Sequence, residues 1–180
     1  NNLVMSALLT GNTAVLKPAE YTPRSGAIYH ELFADLRPPG VLGLVQGGGA
    51  IGKGLVESDV DMIAFTGSIR TGQAIMREAA NAMKRLMLEL GGKDPMIVLP
   101  DADFEAAAQF AVRNALTNSG QVCVATERVF VPREREAAFV EAVVRELGKL
   151  EVGEPLAETT DFGPMANAAQ RELVLDQPLT

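Results

Sequence analysis

Short apolar runs rich in β-forming residues alternate with amphipathic stretches along this chain. The apolar runs predict strands at residues 13–16, 41–45, 62–65, 85–90, 96–99 and 128–131. Apolar positions at helical spacing, together with capping residues and prolines, predict helices at about 22–36, 51–57, 69–81, from Asp101 or Asp103 to 117, and from Pro132 to 147. Strands that alternate with helices indicate βαβ units and a mainly parallel sheet.

Gly91 and Gly92 follow the fourth predicted strand and are the best candidate for a domain boundary. Only glycine adopts every backbone region at low cost, so the pair can act as a hinge. We therefore predict an α/β fold in two parts. Residues 1–91 would contain an open, mainly parallel sheet, and residues 92–180 would belong to a second α/β part.

Composition limits the kinds of protein this chain can represent. Of its 180 residues, 47% are hydrophobic and 22% charged, and the net charge of −7 argues against nucleic-acid binding. No apolar run approaches a membrane span, and a single cysteine excludes an intrachain disulfide, so we expect a soluble cytoplasmic protein. The chain starts without methionine inside an apolar helical pattern and stops after a polar helical stretch, at residues 176–180. We expect it to be a piece of a longer protein.

Residues 47–54 form a glycine-rich patch between a predicted strand and a predicted helix. The patch matches both G-x-G-x-x-G and the beginning of the phosphate loop G-x-x-x-x-G-K. However, Gly54 stands where a phosphate loop needs Ser or Thr for magnesium, and no acidic residue ends the next strand. We interpret the patch as a surface loop. A phosphate-loop nucleotide-binding domain on Gly47 to Gly54 remains the alternative function.

Cys123 is the only cysteine and follows the polar sequence Asn118-Ser119-Gly120-Gln121. A lone cysteine is either a buried inert residue or a nucleophile, and a thiolate nucleophile that forms an acyl intermediate then needs a base for water. Glu89, beside the Gly91-Gly92 turn, is the candidate base.

Two further places could contact a nucleotide. Lys17 and Glu20 follow the first predicted strand, and ligands of open α/β sheets gather beyond the carboxyl ends of strands. Gly67 and Ser68 open a helix, where amides can bind a pyrophosphate. A solvated ion pair and a simple helix N-cap are the alternative interpretations of these two places.

Four motifs in order carry a resemblance to the NAD(P)-dependent aldehyde dehydrogenase superfamily. They are Lys17-Pro18-Ala19-Glu20-Tyr21-Thr22-Pro23, Ala64-Phe65-Thr66-Gly67-Ser68, Leu88-Glu89-Leu90-Gly91-Gly92-Lys93-Asp94-Pro95 and Asn118-Ser119-Gly120-Gln121-Val122-Cys123. The resemblance extends from about Leu3 to Gln170, and Phe162-Gly163-Pro164-Met165 resembles a further turn of the family.

The resemblance implies that residues 1–91 are part of a Rossmann-like NAD-binding domain and that residues 92–180 are the first part of an α/β catalytic domain with the nucleophilic cysteine. It also implies a catalytic mechanism. Cys123 would attack an aldehyde, hydride would pass to NAD, and Glu89 would activate the water that hydrolyses the thioester to a carboxylic acid. Lys17 and Glu20 match contacts to the adenosine ribose, and the Glu20 carboxylate favours NAD over NADP. Gly67, Ser68 and Gly72 match the phosphate-binding motif, and Leu90 a position near the nicotinamide amide.

The resemblance also implies what lies elsewhere. An oxyanion-hole asparagine would precede Asn1 and a ribose-binding glutamate would follow Thr180, so we expect little or no activity from these 180 residues alone. Ile69 replaces a threonine that is frequent in the family. The full protein would be a homodimer or homotetramer that acts on a small aldehyde, with no nucleic-acid or membrane partner and no metal. A non-catalytic relative of the family is the remaining alternative.

Overall fold

The computed structural model describes residues 2–177 and has a mixed α/β fold. Its helices are α1 (Asn2–Leu9), α2 (Pro23–Glu31), α3 (Gly49–Glu57), α4 (Ile69–Asn81), α5 (Phe104–Leu116), α6 (Glu136–Leu147) and α7 (Ala168–Leu175). Its strands are β1 (Ala14–Leu16), β2 (Leu42–Leu44), β3 (Met62–Gly67), β4 (Arg85–Leu90), β5 (Asp94–Ile97) and β6 (Thr126–Phe130). None of the helices within this range is long and apolar enough to cross a bilayer.

The strands pair as three βαβ units. β1 is parallel to β2, β3 to β4, and β5 to β6, and each pair forms its own two-stranded sheet. The helices α2, α4 and α5 lie between the two strands of their pairs in the sequence. The predicted α/β class with parallel strands is therefore confirmed.

The chain forms two compact units, one that ends at Leu90 and one that begins at Gly91. The first contains β1 to β4, and the second contains β5 and β6. A cofactor role for the first unit and a catalytic role for the second remain predictions. Asn1 and residues 178–180, at the two ends of the sequence, lie outside the described residues.

Several elements differ from the sequence prediction at their ends. The helix α2 ends at Glu31 rather than near residue 36. The residues after it form hydrogen bonds from residue i to residue i−3, as in 3₁₀ turns, and Phe33 N to His30 O is one of them. The strand β5 begins at Asp94 and includes Pro95. A proline lacks the N–H that a regular strand interior needs, but the register with β6 shifts between Asp94 and Pro95, and prolines are tolerated at such irregularities.

The core of the second unit lies where α5 packs on α6. Phe104 and Phe139 meet edge to face at 6.1 Å between ring centroids, and small alanines beside them let the two helices approach. At the surface of the same pair, Arg145 donates a hydrogen bond to Glu105, and this bond and the nearby carboxylate charge raise the pKa of the Arg145 guanidinium.

In the first unit, α4 has one buried face. Gly72, Ile75 and Ala79 are buried on it at helical spacing, and the helix contacts both α3 and β4. The N-cap Ser68 and this apolar stripe explain why residues 69–81 form the helix that the sequence predicts. The consequence is that the first turn of α4 is held beside the carboxyl ends of β3 and β4.

Candidate active site

The carboxyl ends of β3 and β4 bring four of the predicted site residues together. In the parallel register, Thr66 is opposite Glu89 and Gly67 is opposite Leu90. Ser68 follows Gly67 directly and is the N-cap of α4. Glu89, Gly67 and Ser68 are solvent-exposed, whereas Leu90 is half-buried. The predicted base and the predicted phosphate-binding residues therefore occupy consecutive register positions at the carboxyl ends of β3 and β4, while the Leu90 side chain is the one that faces α4.

Gly72 allows α4 to lie close to β4. A Cβ atom at position 72 would be 2.7 Å from Leu90 Cδ2 and 3.0 Å from Cδ1, which is too close for carbon atoms. The absence of a side chain thus lets the first turn of α4 rest on Leu90. This contact joins Gly72, predicted as part of the phosphate-binding motif, to Leu90, predicted to lie near the nicotinamide amide.

The first turn of α4 offers amide donors to solvent. Ser68 Oγ accepts a hydrogen bond from Thr71 N at 3.2 Å, and the first helical bond runs from Gly72 N to Ser68 O at 2.9 Å. The amides of Ile69 and Arg70 lie in the first turn of the helix, where N–H groups have no carbonyl acceptor within the helix. Both residues are exposed. This end of a helix favours anions because of its unpaired N–H groups and its dipole.

Lys17 lies just beyond β1 and contacts the glycine-rich patch. Its Nζ donates to Gly47 O at 2.7 Å and to Pro18 O at 2.9 Å, and lies 3.6 Å from Glu20 Oε2. The Lys17 side chain is 19% exposed and that of Glu20 is 51% exposed. The two predicted ribose-binding residues are therefore adjacent, with the lysine anchored and the carboxylate in solvent.

The interpretation of the patch as a surface loop is wrong for most of its length. The helix α3 begins at Gly49, with Gly48 as its N-cap, so the loop is limited to the residues before it. The patch and Lys17 were predicted as separate features, whereas the Lys17–Gly47 hydrogen bond joins them. Lys53, the lysine of the phosphate-loop alternative, is 71% exposed and pairs with Glu57 of its own helix at 3.4 Å.

Cys123 lies in the second unit, in a turn between α5 and β6, and is exposed. The turn starts with three consecutive residues of positive φ: Asn118 at 51°, Ser119 at 58° and Gly120 at 76°. Only glycine adopts this region without a steric penalty, and a Cβ at position 120 would also lie 3.2 Å from Ala115 O. The chain reverses sharply here, directly before the cysteine.

Side chains of this turn are tied to a segment more than forty residues later. Ser119 Oγ donates to Gly163 O at 2.8 Å, and Gln121 Oε1 accepts from Ala166 N at 2.9 Å, across sequence separations of 44 and 45 residues. The motif that ends at Cys123 contains Ser119 and Gln121, but the sequence predicts no partner for either side chain. The resemblance of residues 162–165 to a family turn was the available indication that this segment matters.

Comparison with known proteins gives the wider context. The model of the aldehyde dehydrogenase family matches residues 2–177. The human 4-trimethylaminobutyraldehyde dehydrogenase is 40% identical over 171 residues, which are 94% of this chain and 35% of that protein.

Solved structures show the same likeness. An NAD+ complex of an aldehyde dehydrogenase from Bacillus cereus has a TM-score of 0.91 and 42% identity over 96% of this chain and 36% of that one. A variant of aldehyde dehydrogenase C from Pseudomonas syringae, in complex with NAD+ and octanal, has a TM-score of 0.84 and 43% identity over 89% of this chain and 34% of that one. The chain thus spans about a third of the length of these relatives, and it belongs to the aldehyde dehydrogenase family.

Proposed function

We propose that this chain carries the nucleophile, the general base and part of the cofactor site of an NAD-dependent aldehyde dehydrogenase that oxidises an aldehyde to a carboxylic acid. The observation that carries the proposal is the lone, exposed Cys123 on a braced turn, in a chain whose residues 2–177 match the family. Because the relatives are about three times as long, the complete activity belongs to a protein with further segments. The proposed protein is cytoplasmic and forms a homodimer or homotetramer.

In the first step, Cys123 Sγ attacks the aldehyde carbon as a thiolate and forms a thiohemiacetal. The negative charge moves to the former carbonyl oxygen, which the backbone N–H of Cys123 stabilises. The exposure of Cys123 supports this role because an aldehyde can reach the sulfur without unfolding of the turn. A second donor, the asparagine implied by the resemblance, would come from outside these residues.

The residues of the first unit fit a dinucleotide. The exposed first turn of α4, opened by Gly67 and Ser68, can hold the pyrophosphate. Lys17 uses two of its three N–H donors on Gly47 and Pro18 and retains one for a ribose hydroxyl. When bound by these residues, NAD would supply the hydride acceptor, and loss of hydride from the carbon on Cys123 would leave a thioester on the sulfur.

Glu20 sets the preference between the two dinucleotides. Its carboxylate lies 3.6 Å from Lys17 Nζ and is half-exposed, so it can accept hydrogen bonds from ribose hydroxyls. The same negative charge would repel a 2′-phosphate. We therefore propose NAD rather than NADP as the cofactor.

Glu89 completes the reaction. Its exposed carboxylate takes a proton from a water molecule, whose oxygen attacks the thioester carbon. The carbon–sulfur bond then breaks, the carboxylic acid leaves and the Cys123 thiolate is restored. The position of Glu89 at the carboxyl end of β4 supports this role because ligands of parallel sheets bind beyond the carboxyl ends of strands, and the carboxylate is exposed there.

Steady-state NADH production from octanal by the natural protein that carries this chain tests the proposal. We expect Cys123→Ala to abolish turnover and Glu89→Gln to reduce it by a factor of about 100 or more, because general-base catalysis contributes that much. Glu78→Gln, which makes the same change on the exposed face of α4, should stay within about twofold of wild type. Unchanged turnover in Cys123→Ala would refute the proposal.

The 180 residues measured alone supply a second result. We expect them to give little or no NADH, because loss of a single oxyanion donor costs a factor of about 100 to 1,000 in turnover. Robust turnover by the isolated chain would show that the missing asparagine is not needed.

A further inference from the structure

The turn before Cys123 has a backbone conformation that two of its residues disfavour. Asn118 and Ser119 both have left-handed φ values, 51° and 58°, and neither is glycine. Consecutive left-handed residues with side chains are rare because Cβ approaches the carbonyl oxygen. Such a conformation persists only where the surroundings determine it, and it concentrates at functional sites.

The side chain of Gln121 makes hydrogen bonds that hold this conformation. Its Nε2 donates to Asn118 O at 3.0 Å, across the base of the left-handed run, and its Oε1 accepts from Ala166 N at 2.9 Å. In return, Asn118 Nδ2 donates to Gln121 O at 3.3 Å. One side chain therefore closes the turn and fastens it to residue 166.

Ser119 gives the turn a second attachment to the same segment. Its part-buried hydroxyl donates to Gly163 O at 2.8 Å. We call residues 163–166 the strap. The left-handed run is thus joined to the strap on both sides of Gly120, through Ser119 and through Gln121, and the turn cannot rotate without breaking both bonds.

We propose that Gln121 and Ser119 are positioning residues for Cys123. They hold the turn on the strap, so that the Cys123 sulfur and its own backbone N–H face the reacting carbonyl together. This inference rests on the proposed role of Cys123 as the nucleophile. The sulfur and the oxyanion donor belong to one residue, two positions after Gln121, so rotation of the turn displaces both, and displacement of about 1 Å can cost 100-fold in rate.

The test replaces Gln121 by Met, which has similar volume but makes neither hydrogen bond, in the natural protein that carries this chain. We expect kcat with octanal to fall by about 10- to 100-fold, while KM for NAD changes less than about twofold, because the cofactor residues lie in the first unit. The Ala166 amide should also exchange with deuterium faster, since its acceptor is lost. Gln109→Met, the same change on the exposed face of α5, is the matched control and should keep wild-type kcat.

Ser119→Ala keeps the test decisive if Gln121→Met does not fold. It removes one hydroxyl and one attachment to the strap, and we expect kcat to fall by about 3- to 10-fold at unchanged KM for NAD. Thr117→Ala is its control, because Thr117 Oγ1 donates to Arg113 O within the end of α5 and not to the strap. That variant should retain wild-type kcat.

The outcomes separate this inference from the proposed function. If Gln121→Met or Ser119→Ala has wild-type kcat while Cys123→Ala is inactive, the positioning role is refuted and the nucleophile stands. A loss of kcat shared equally by the control variants also refutes it, because the effect would then be a general loss of stability. If Cys123→Ala retains turnover, the proposed function itself fails.

Discussion

At the scale of single residues, Lys17 shows how a predicted cofactor contact also has a structural role. Its ammonium group joins the end of β1 to Gly47, which precedes α3, and lies beside the Glu20 carboxylate. The lysine is largely buried, so its position is set by the fold and not by solvent. A preorganised charged donor loses little entropy when a ligand binds.

Replacement of Lys17 by Met should weaken NAD binding. A hydrogen bond from a charged group contributes about 1.5–3 kcal/mol, so we expect the Kd for NAD to rise by about tenfold or more in titration calorimetry of the natural protein. Lys53→Met is the matched control, because Lys53 also pairs with a glutamate of the first unit but is 71% exposed. Equal affinity of the two variants would contradict a cofactor role for Lys17.

Motif residues on neighbouring parallel strands can be expected to lie together, whereas contacts with a distant segment of the chain cannot be predicted. The register places Glu89, Leu90, Gly67 and Ser68 at one sheet edge, where the carboxyl ends of neighbouring parallel strands meet. The attachments of Gln121 and Ser119 to the strap could not be predicted, because nothing local specifies a partner 44 or 45 residues away.

At the scale of elements, capping chemistry decides where helices begin. The sequence left Asp101 and Asp103 as alternative caps for α5, and the structure identifies Asp103, whose Oδ1 accepts from Glu105 N at 3.0 Å and Ala106 N at 3.1 Å. The two aspartates are two residues apart, so local pattern alone could not separate them. In contrast, α4 and β4 have the predicted bounds, because Ser68 caps the helix and the apolar periodicity is clear on both sides.

Asp103→Ala should lower the free energy of unfolding by about 1 kcal/mol, because two amides of the first turn of α5 lose their acceptor. Urea unfolding followed by circular dichroism measures the change. Asp101→Ala removes the same carboxylate from an exposed position two residues earlier and should stay within about 0.5 kcal/mol of wild type. The capping assignment fails if Asp101→Ala is the more destabilising variant.

Element boundaries that the sequence did not predict have identifiable causes. A proline inside β5 argues against a strand in general, yet the register with β6 is irregular between Asp94 and Pro95, and proline is tolerated at such a position. Glycines argue against a helix, yet α3 starts at Gly49 and includes two more glycines. The helix contacts α4, so tertiary packing contributes to its stability despite the low helix propensity of these residues.

At the scale of the whole molecule, the chain combines two compact units with different predicted roles. The first contains the proposed base and the proposed cofactor residues at the ends of β1, β3 and β4, and the second contains Cys123 on the turn that is bonded to the strap. The family match covers residues 2–177, whereas each relative described above is about three times as long. The reaction proposed for the whole protein therefore depends on both units and on groups beyond them.

Trapping the acyl intermediate tests the central claim most directly. The Glu89→Gln variant of the natural protein should form the thioester but hydrolyse it slowly, so incubation with octanal and NAD should leave an octanoyl group on the protein. Because this chain has one cysteine, peptide mass spectrometry should locate the group on Cys123 in this region. We predict an octanoyl-Cys123 peptide that forms only with NAD present; no acyl group on Cys123, together with continued NADH production, would contradict the account.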